Sequence, residues 1–203
     1  MIATRLWTLV ASVVLASACA HAPGPVDLSG TWPATVGDYD DVNQAWTRRA
    51  TLRADYSQVL EVIATFHAPP WFAARAVREA RQRSGPSDVI TTAAQAEAAS
   101  DYEFALVVTT HDRAENDLDR GERSVWHLAL VDAAGVETAP SSVERDKRPL
   151  MVLRSELPEY GDFAVAYRVR FPRTALALGP DVREVTLKMW GSRGAVALRW
   201  RAQ

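Results

Sequence analysis

The stretch Phe163-Ala-Val-Ala-Tyr-Arg-Val-Arg-Phe171 alternates between two kinds of side chain along its whole length. Its large apolar residues fall on one face, and Arg168 and Arg170 fall on the other. A period of two is that of a β-strand, because successive side chains point to opposite faces. An apolar face opposite a charged face is typical of an antiparallel strand with one side on a core and the other in water. We therefore predict a half-buried strand over 163–171.

Two more alternating stretches end the chain. Apolar side chains alternate with small or polar ones at Val185, Leu187 and Met189, and again at Val196, Leu198 and Trp200. Between them, the stretch 191–194 reads Gly-Ser-Arg-Gly, and glycine is favoured in the tight reversal of a hairpin. This pattern predicts that the chain ends in a β-hairpin, with Trp200 and the earlier Trp126 facing the core.

Similar but weaker patterns predict earlier strands at 57–66, 102–110 and 124–132, and shorter apolar pieces at 136–138 and 150–153. Seven or eight short strands separated by turn residues are typical of a mainly β protein. We expect an antiparallel β-sandwich, either immunoglobulin-like or built as a half-open barrel.

One region interrupts the β pattern. The stretch 71–83 is rich in Ala and Arg, and Ser87 is suited to cap a second helix over 88–99. These two segments predict a two-helix insertion around 69–99. An acidic start and a following tryptophan predict a shorter helix over 40–49.

The first nineteen residues, MIATRLWTLVASVVLASAC, have the layout of a secretory signal. Arg5 precedes an apolar run over 6–16, which is too short to span a membrane comfortably. The segment Ala16-Ser17-Ala18-Cys19 resembles the lipobox of bacterial lipoproteins, which implies cleavage before Cys19 and attachment of diacylglycerol to its thiol. The alternative is an ordinary signal peptide that leaves Cys19 as a free thiol.

This resemblance implies the domain order and the location. Residues 1–18 are the signal peptide, 19–37 form a lipidated tether, and 38–203 form the β-sandwich domain. The absence of Asp directly after Cys19 implies, by analogy with enteric lipoproteins, an outer-membrane lipoprotein that faces the periplasm. Its expected partners are the membrane, through the covalent lipid on Cys19, and an envelope protein.

Composition excludes several classes of protein. The chain has 203 residues, a net charge of -2 and one Cys, so it lacks the basic excess of a nucleic-acid binder and forms no internal disulfide. We find no nucleophile elbow, phosphate-binding loop or dinucleotide fingerprint. The sequence therefore predicts neither an enzyme nor a cofactor.

Aromatic and acidic residues mark one candidate binding groove. Asp40 and Asp41 precede Trp46, and Trp71 follows two prolines beside the predicted insertion. Trp71 is the tryptophan expected to line a surface groove, and the other three residues are expected to form a partner or ligand patch. The simpler interpretation is an acidic first turn that complements the helix dipole, with Trp46 anchoring the helix to the sheet.

Two weak metal candidates are also present. Asp117 and Asp119 lie in an acidic loop, but its glycine is misplaced for a calcium-binding EF-hand. His67 and His111 end predicted strands, and would meet only if those strands ran parallel. A solvated loop and separate histidines are the favoured interpretations, so no metal site is predicted.

Two resemblances extend beyond the signal. The triplet Gly30-Thr31-Trp32 is similar to the Gly-x-Trp motif of lipocalins, in which eight strands enclose a ligand. A larger part of the chain resembles a family of uncharacterised bacterial lipoproteins, to which no activity is attached. The residues that carry this second resemblance are Tyr39-Asp40-Asp41, Trp46-Thr47-Arg48, Thr65-Phe66, 116–119, Ser124-Val125-Trp126 and Leu198-Arg199-Trp200.

Taken together, these features favour a non-enzymatic binding or scaffolding module that is tethered to the cell envelope. A lipocalin-like carrier of a small apolar ligand is the first alternative. A hydrolase with converging carboxylates is the second.

Overall fold

Two antiparallel sheets and a set of helices account for the described part of the chain. A computed structural model describes residues 23–54, 56–83 and 86–203. The helices are α1 (Tyr39–Trp46), α2 (Pro69–Arg83), α3 (Ser87–Ala99) and α4 (Leu150–Glu156). The strands are β1 (Thr47–Ala54), β2 (Ser57–His67), β3 (Tyr102–Thr110), β4 (Trp126–Val131), β5 (Glu137–Thr138), β6 (Ser142–Arg145), β7 (Val165–Phe171), β8 (Glu184–Gly191) and β9 (Gly194–Arg201).

The strands pair into a five-stranded and a four-stranded sheet. The first has the order β1-β2-β3-β7-β6, and the second has the order β5-β4-β8-β9. The strand pairs that build these two ladders are all antiparallel. The predicted mainly β, antiparallel sandwich is therefore confirmed. Because the described strands form two separate ladders, they do not close into a lipocalin-like barrel.

Aromatic side chains fill the space between the two sheets. Phe66 and Phe104 stack with ring centroids 4.4 Å apart, and Trp200 meets Phe104 edge to face at 5.4 Å. Each lies on the inward face that the period of two defines, and each is fully buried. Burying one such side chain stabilises the fold by about 1.5–3 kcal/mol. The alternating apolar residues of the strands thus form a side-chain core between the two sheets.

The C-terminal hairpin is confirmed in its register. Gly191 faces Gly194 across the turn, and Trp126 and Trp200 are buried as predicted. Gly194 has a φ of 136°, a backbone conformation that favours glycine, and a Cβ there would lie 3.1 Å from the side chain of Leu52, which is tight.

The strand predicted over 163–171 begins at Val165. The side chain of Phe163 is 65% exposed and lies outside the core, which corrects the prediction at that residue.

One predicted helix ends early and one predicted strand is a helix, and in each case contacts in the structure explain the difference. The helix expected over 40–49 ends at Trp46, because Thr47 turns to an extended backbone and its hydroxyl lies 2.7 Å from that of Thr65 in β2. The residues that follow form β1, a strand that the sequence analysis did not predict. The apolar piece 150–153 belongs to a helix, which begins after Pro149 and buries Leu153.

The two-helix insertion is confirmed between β2 and β3. Its second helix starts one residue earlier than expected, so Ser87 is the first helical residue and Pro86 occupies the cap position without a side-chain hydrogen bond. The polar strand β6 was not predicted. It exists because its backbone pairs with β7 at the sheet edge.

The domain begins earlier in the chain than the predicted tether allows. Val26 and Leu28 belong to the core, and the backbone N–H of Val26 donates to the carbonyl of Arg201 at 2.8 Å. The predicted tether over 19–37 is therefore too long, because hydrophobic burial draws residues 26–28 into the sandwich. Cys19 and the signal segment 1–18 lie outside the described residues. Among the described helices, none has the length and apolarity needed to cross a membrane.

Arg48 fastens the corner where β1 lies beside β9. Its buried guanidinium donates to the carbonyls of Thr47 (2.9 Å), Ala45 (2.7 Å), Arg199 (2.8 Å) and Gly24 (3.0 Å). Burial lowers the pKa of Arg48 to about 10, so the group stays charged at neutral pH. One side chain therefore connects the start of the domain, the first strand and the last strand.

We expect Arg48→Met to lower the free energy of unfolding by about 3 kcal/mol, because the main-chain carbonyls around this buried side chain would lose their charged donor. Urea denaturation measures this change. The matched control is Arg199→Met, which removes a half-exposed arginine paired with Glu184 at 3.6 Å and should cost less than about 1 kcal/mol. Equal losses in the two variants would contradict the assigned role of Arg48.

Candidate functional site

The outer face of the five-stranded sheet is divided into an apolar and a polar half. On the apolar half, Leu153 and Leu157 from the α4 region cover Ile63 and Val107. On the polar half, outward-facing side chains include His67, Glu103, Arg168 and Arg170, which lie at one end of β2, β3 and β7. Helix α2 begins beside this polar end, directly after β2.

A cleft of about 660 Å³ lies between α2 and α4. Because α4 covers only part of the sheet, its edge and the charged face of α2 form two opposite walls. The α2 wall is formed by Arg75, Arg78, Glu79, Gln82 and Arg83, the α4 wall by Met151, Val152, Ser155 and Glu156, and Tyr39 of α1 also lines the space.

Most charges in this α2–α4 cleft have a partner. Arg83 bonds Glu79 at 2.6 Å, and Glu156 accepts from Arg148 at 2.7 Å. Arg75 bonds Glu97 of α3. Arg78 has no carboxylate partner among residues 23–54, 56–83 and 86–203. The cleft therefore presents one uncompensated positive charge.

Two donors beside Arg78 are also unused. Tyr39 is 6% exposed, and its hydroxyl has no hydrogen-bond partner among the described residues. The same holds for the buried Nε–H of Arg75. The guanidinium of Arg78 covers the ring of Tyr39 at 4.3 Å from its centroid. A buried polar group without a partner costs roughly 1–3 kcal/mol, so these groups are unusual for a purely structural site.

Burial raises the pKa of Tyr39 to about 12, and the charge of Glu156 adds to the effect, while Arg78 and Arg75 oppose it. The phenol is therefore protonated at neutral pH and acts as a donor. The cleft is thus lined by an arginine without a carboxylate partner among the described residues and by two residues, Tyr39 and Arg75, that each carry a buried unpaired donor, which is the chemistry that binds an anionic oxygen group.

Behind the cleft, His67 and Glu103 form a buried pair with Nδ1 and Oε1 3.1 Å apart. The imidazole stacks on Trp71, with ring centroids 3.5 Å apart and planes 10° apart. The indole N–H of Trp71 donates to Oδ1 of Asn43 at 2.9 Å. Helix α2 therefore holds the histidine ring in one orientation.

Burial lowers the pKa of His67, which is neutral at physiological pH and donates its Nδ1 proton to Glu103. Burial alone would raise the pKa of Glu103. The hydrogen bond from His67 and the guanidinium groups of Arg168 and Arg170 outweigh this effect and lower the pKa to about 2. Glu103 is thus an ionised carboxylate held by neighbouring donors.

A line of alternating charges joins this pair to the cleft. Arg168 lies 3.7 Å from both Glu103 and Asp146. Arg148 then bonds both Asp146 and Glu156, each at 2.7 Å. The polar half of the sheet is therefore a connected ionic network that ends in the wall of the α2–α4 cleft.

The structure does not bring the predicted groove residues together at an open surface. Trp71 and Trp46 are 2% and 3% exposed and pack inside the protein. Trp46 anchors α1 to the sheet against Phe66, as the simpler interpretation proposed. Asp40 and Asp41 are exposed in the first turn of α1. The expected surface role of Trp71 is therefore wrong, because its ring is used to stack on His67.

The metal candidates are separated or already engaged. β2 and β3 are antiparallel, so His67 and His111 lie at opposite ends of the sheet, about 25 Å apart. Asp117 accepts from Ser124 at 2.8 Å, and Asp119 accepts from Arg145 at 2.9 Å. Among the described residues, no three His, Cys, Asp or Glu side chains are grouped as a metal site would require.

Sequence reasoning missed the residues that line the cleft. Tyr39 lies within the acidic stretch that the sequence marks, but only packing shows that its hydroxyl has no partner. The sequence shows that Leu150, Met151 and Val152 are consecutive apolar residues, but only the structure shows that all three are exposed. Such runs are uncommon on a surface without a binding role.

Neither a protein-family model, nor a curated protein, nor a solved structure matches this chain. Its function is therefore inferred from its own residues and their geometry.

Acid should destabilise the protein through Glu103. Its pKa is lower in the folded state than the ordinary 4.5, so the unfolded chain takes up the proton first as the pH falls. We expect about 3 kcal/mol of the free energy of unfolding to be lost between about pH 4.5 and 2, and Glu103→Gln to abolish this component.

Urea denaturation across this pH range measures the effect. Glu184→Gln is the control, since it removes a carboxylate of the other sheet and should keep the wild-type acid response. An unchanged acid response in Glu103→Gln would contradict the assignment.

We also expect Tyr39→Phe to leave the free energy of unfolding unchanged or to raise it by about 1 kcal/mol, because it removes a buried hydroxyl that has no partner. Tyr167→Phe is the matched control. Its hydroxyl donates at 2.9 and 2.8 Å to the backbone and side-chain oxygens of Asn116, so its loss should cost about 1–2 kcal/mol. Equal destabilisation by both variants in thermal denaturation would show that the Tyr39 hydroxyl is bonded.

Proposed function

We propose that the protein is a lipoprotein of the cell envelope, anchored through acylated Cys19, and that its domain is a non-enzymatic binding module. The supporting feature of the sequence is the signal-like segment 1–18, followed by the one cysteine of the chain at the position that acylation requires. Two or three acyl chains, each contributing about 0.8 kcal/mol per buried methylene, hold a protein on a membrane stably.

The short connection between Cys19 and the domain supports this proposal. Four residue steps separate Cys19 from Pro23, which span at most about 14 Å. The carbonyl of Gly24 is held by Arg48 at 3.0 Å, so the domain has a defined point of attachment. The described core clusters begin at Val26, so a chain that begins at residue 19 keeps all of them.

The observation that carries the binding role is the α2–α4 cleft with its unpaired guanidinium and unused donors. These groups bind a ligand without further chemistry, whereas the His67–Glu103 pair is buried and occupied by ionic contacts. The architecture does not favour the lipocalin-like alternative, because the space between the sheets is filled by side chains.

Metabolic labelling with an alkyne fatty acid in a Gram-negative host tests the anchor. We expect the wild-type protein to be labelled and recovered with membranes, because Cys19 carries the lipid. Cys19→Ala should be unlabelled, and Arg199→Met, which leaves the cysteine intact, should be labelled normally. An unlabelled wild-type protein, or a label that survives Cys19→Ala, contradicts the proposal.

A further inference from the structure

We propose that the α2–α4 cleft binds a small amphiphilic anion, in which a carboxylate or phosphate head carries an apolar chain. This inference deepens the binding role proposed above and does not depend on acylation of Cys19, because the cleft is built entirely from side chains of the domain.

The α2 side of the cleft selects the charge of the head. Three arginines and two glutamates line the space, and both glutamates already accept from arginines. Arg78 has no carboxylate partner in the described chain, and its contact with the carbonyl of Ser155 is 3.5 Å long. A guanidinium in this position attracts an oxygen anion and offers it two parallel N–H donors.

The floor of the cleft supplies a donor that only a bound group satisfies. The Tyr39 hydroxyl is buried and has no partner among the described residues, and the guanidinium of Arg78 covers the ring of Tyr39 at 4.3 Å from its centroid. Because Tyr39 also lines the cleft, we expect its hydroxyl to donate to an anion that binds Arg78. A single ligand would then satisfy the hydroxyl of Tyr39 and the charge of Arg78.

The α4 side of the cleft selects the apolar chain of the ligand. Met151 is 85% exposed, and its neighbours Leu150 and Val152 are also exposed. Met151 and Val152 form the apolar part of the α4 wall, beside Ser155 and Glu156, whereas the arginines lie on the α2 wall. A ligand that bridges these walls has a charged end and an apolar end. The volume of about 660 Å³ lies in the usual range for small-molecule sites.

Isothermal titration calorimetry on the chain from residue 19, with Cys19→Ser to prevent intermolecular disulfides, tests this inference. The probes are octanoate and octyl phosphate below their micelle concentrations, with inorganic phosphate and uncharged octyl glucoside for comparison. We expect the octyl anions to bind at least about tenfold more tightly than either comparison probe, because only they engage both walls. A preference for one octyl anion identifies the head group.

Substitutions in the cleft test whether the octyl anion binds there. Arg78→Gln should weaken binding of the preferred octyl anion by about tenfold or more, whereas Arg83→Gln, which alters a lining arginine that is paired with Glu79, should change it less than about threefold. Tyr39→Phe should weaken binding by about fivefold while the fold stays intact. Met151→Ser should weaken binding of the octyl anion but not of inorganic phosphate, and Val89→Ser on α3 should change neither.

Three results would overturn the proposal. They are no measurable binding of either octyl anion to the folded protein, octyl glucoside binding as tightly as the anions, and full affinity in Arg78→Gln. Each is independent of the labelling of Cys19, so the anchor and the ligand site can fail separately.

Discussion

The fold depends on the hydrogen bonds between the buried guanidinium of Arg48 and main-chain carbonyl groups. Arg48 points into the sandwich rather than out of it, and main-chain carbonyls replace the water that its guanidinium would otherwise bind. Those carbonyls belong to the segment before α1, to the junction of α1 and β1, and to β9. Because the first and last parts of the domain meet at this side chain, the sandwich closes at its β1–β9 corner without a hydrogen-bonded ladder between the two strands.

A second constraint shapes the outer face of the five-stranded sheet. Helix α4 has only seven residues, and it covers the apolar half of that face while leaving the polar half to be satisfied by ion pairs. The resulting network begins at the buried His67–Glu103 pair and continues through Asp146 and Arg148 to Glu156. Because the network neutralises Glu156, the cleft between α2 and α4 keeps a positive character from Arg78.

The elements that sequence predicted well are those in which local pattern and burial agree. The alternation from 102 to 110 yields a strand with the predicted bounds, and the glycine pair at 191 and 194 yields the predicted turn. β1 was missed because its apolar period of two is weak: Ala50, Leu52 and Ala54 share the inward face with the charged Arg48, and the pairing with β2 defines the strand. The short piece 150–153 shows the opposite error, since four apolar residues do not distinguish a strand from a helix.

The candidate site was harder to predict than the fold. Trp71 is conspicuous in the sequence, yet its ring is buried and stacks on His67. Tyr39 and Arg78 belong to helices separated in sequence by β1 and β2, and their contact exists only after α2 folds back beside α1. Sequence patterns report which face of an element is apolar. They do not report whether a particular donor will find an acceptor, because that depends on long-range packing.

The treatment of the sheet edges has a consequence for self-association. A free edge strand offers unpaired backbone groups to a neighbouring copy, and natural proteins protect such edges. Here the carbonyls of Arg199 and Arg201 on the edge strand β9 are engaged by Arg48 and by the N–H of Val26, and the edges β5 and β6 are only two and four residues long. The remaining described edge is the eight-residue β1, from which Arg48 reaches across to β9. Arg48 and Val26 thus occupy backbone groups of β9 with which a neighbouring copy could otherwise pair.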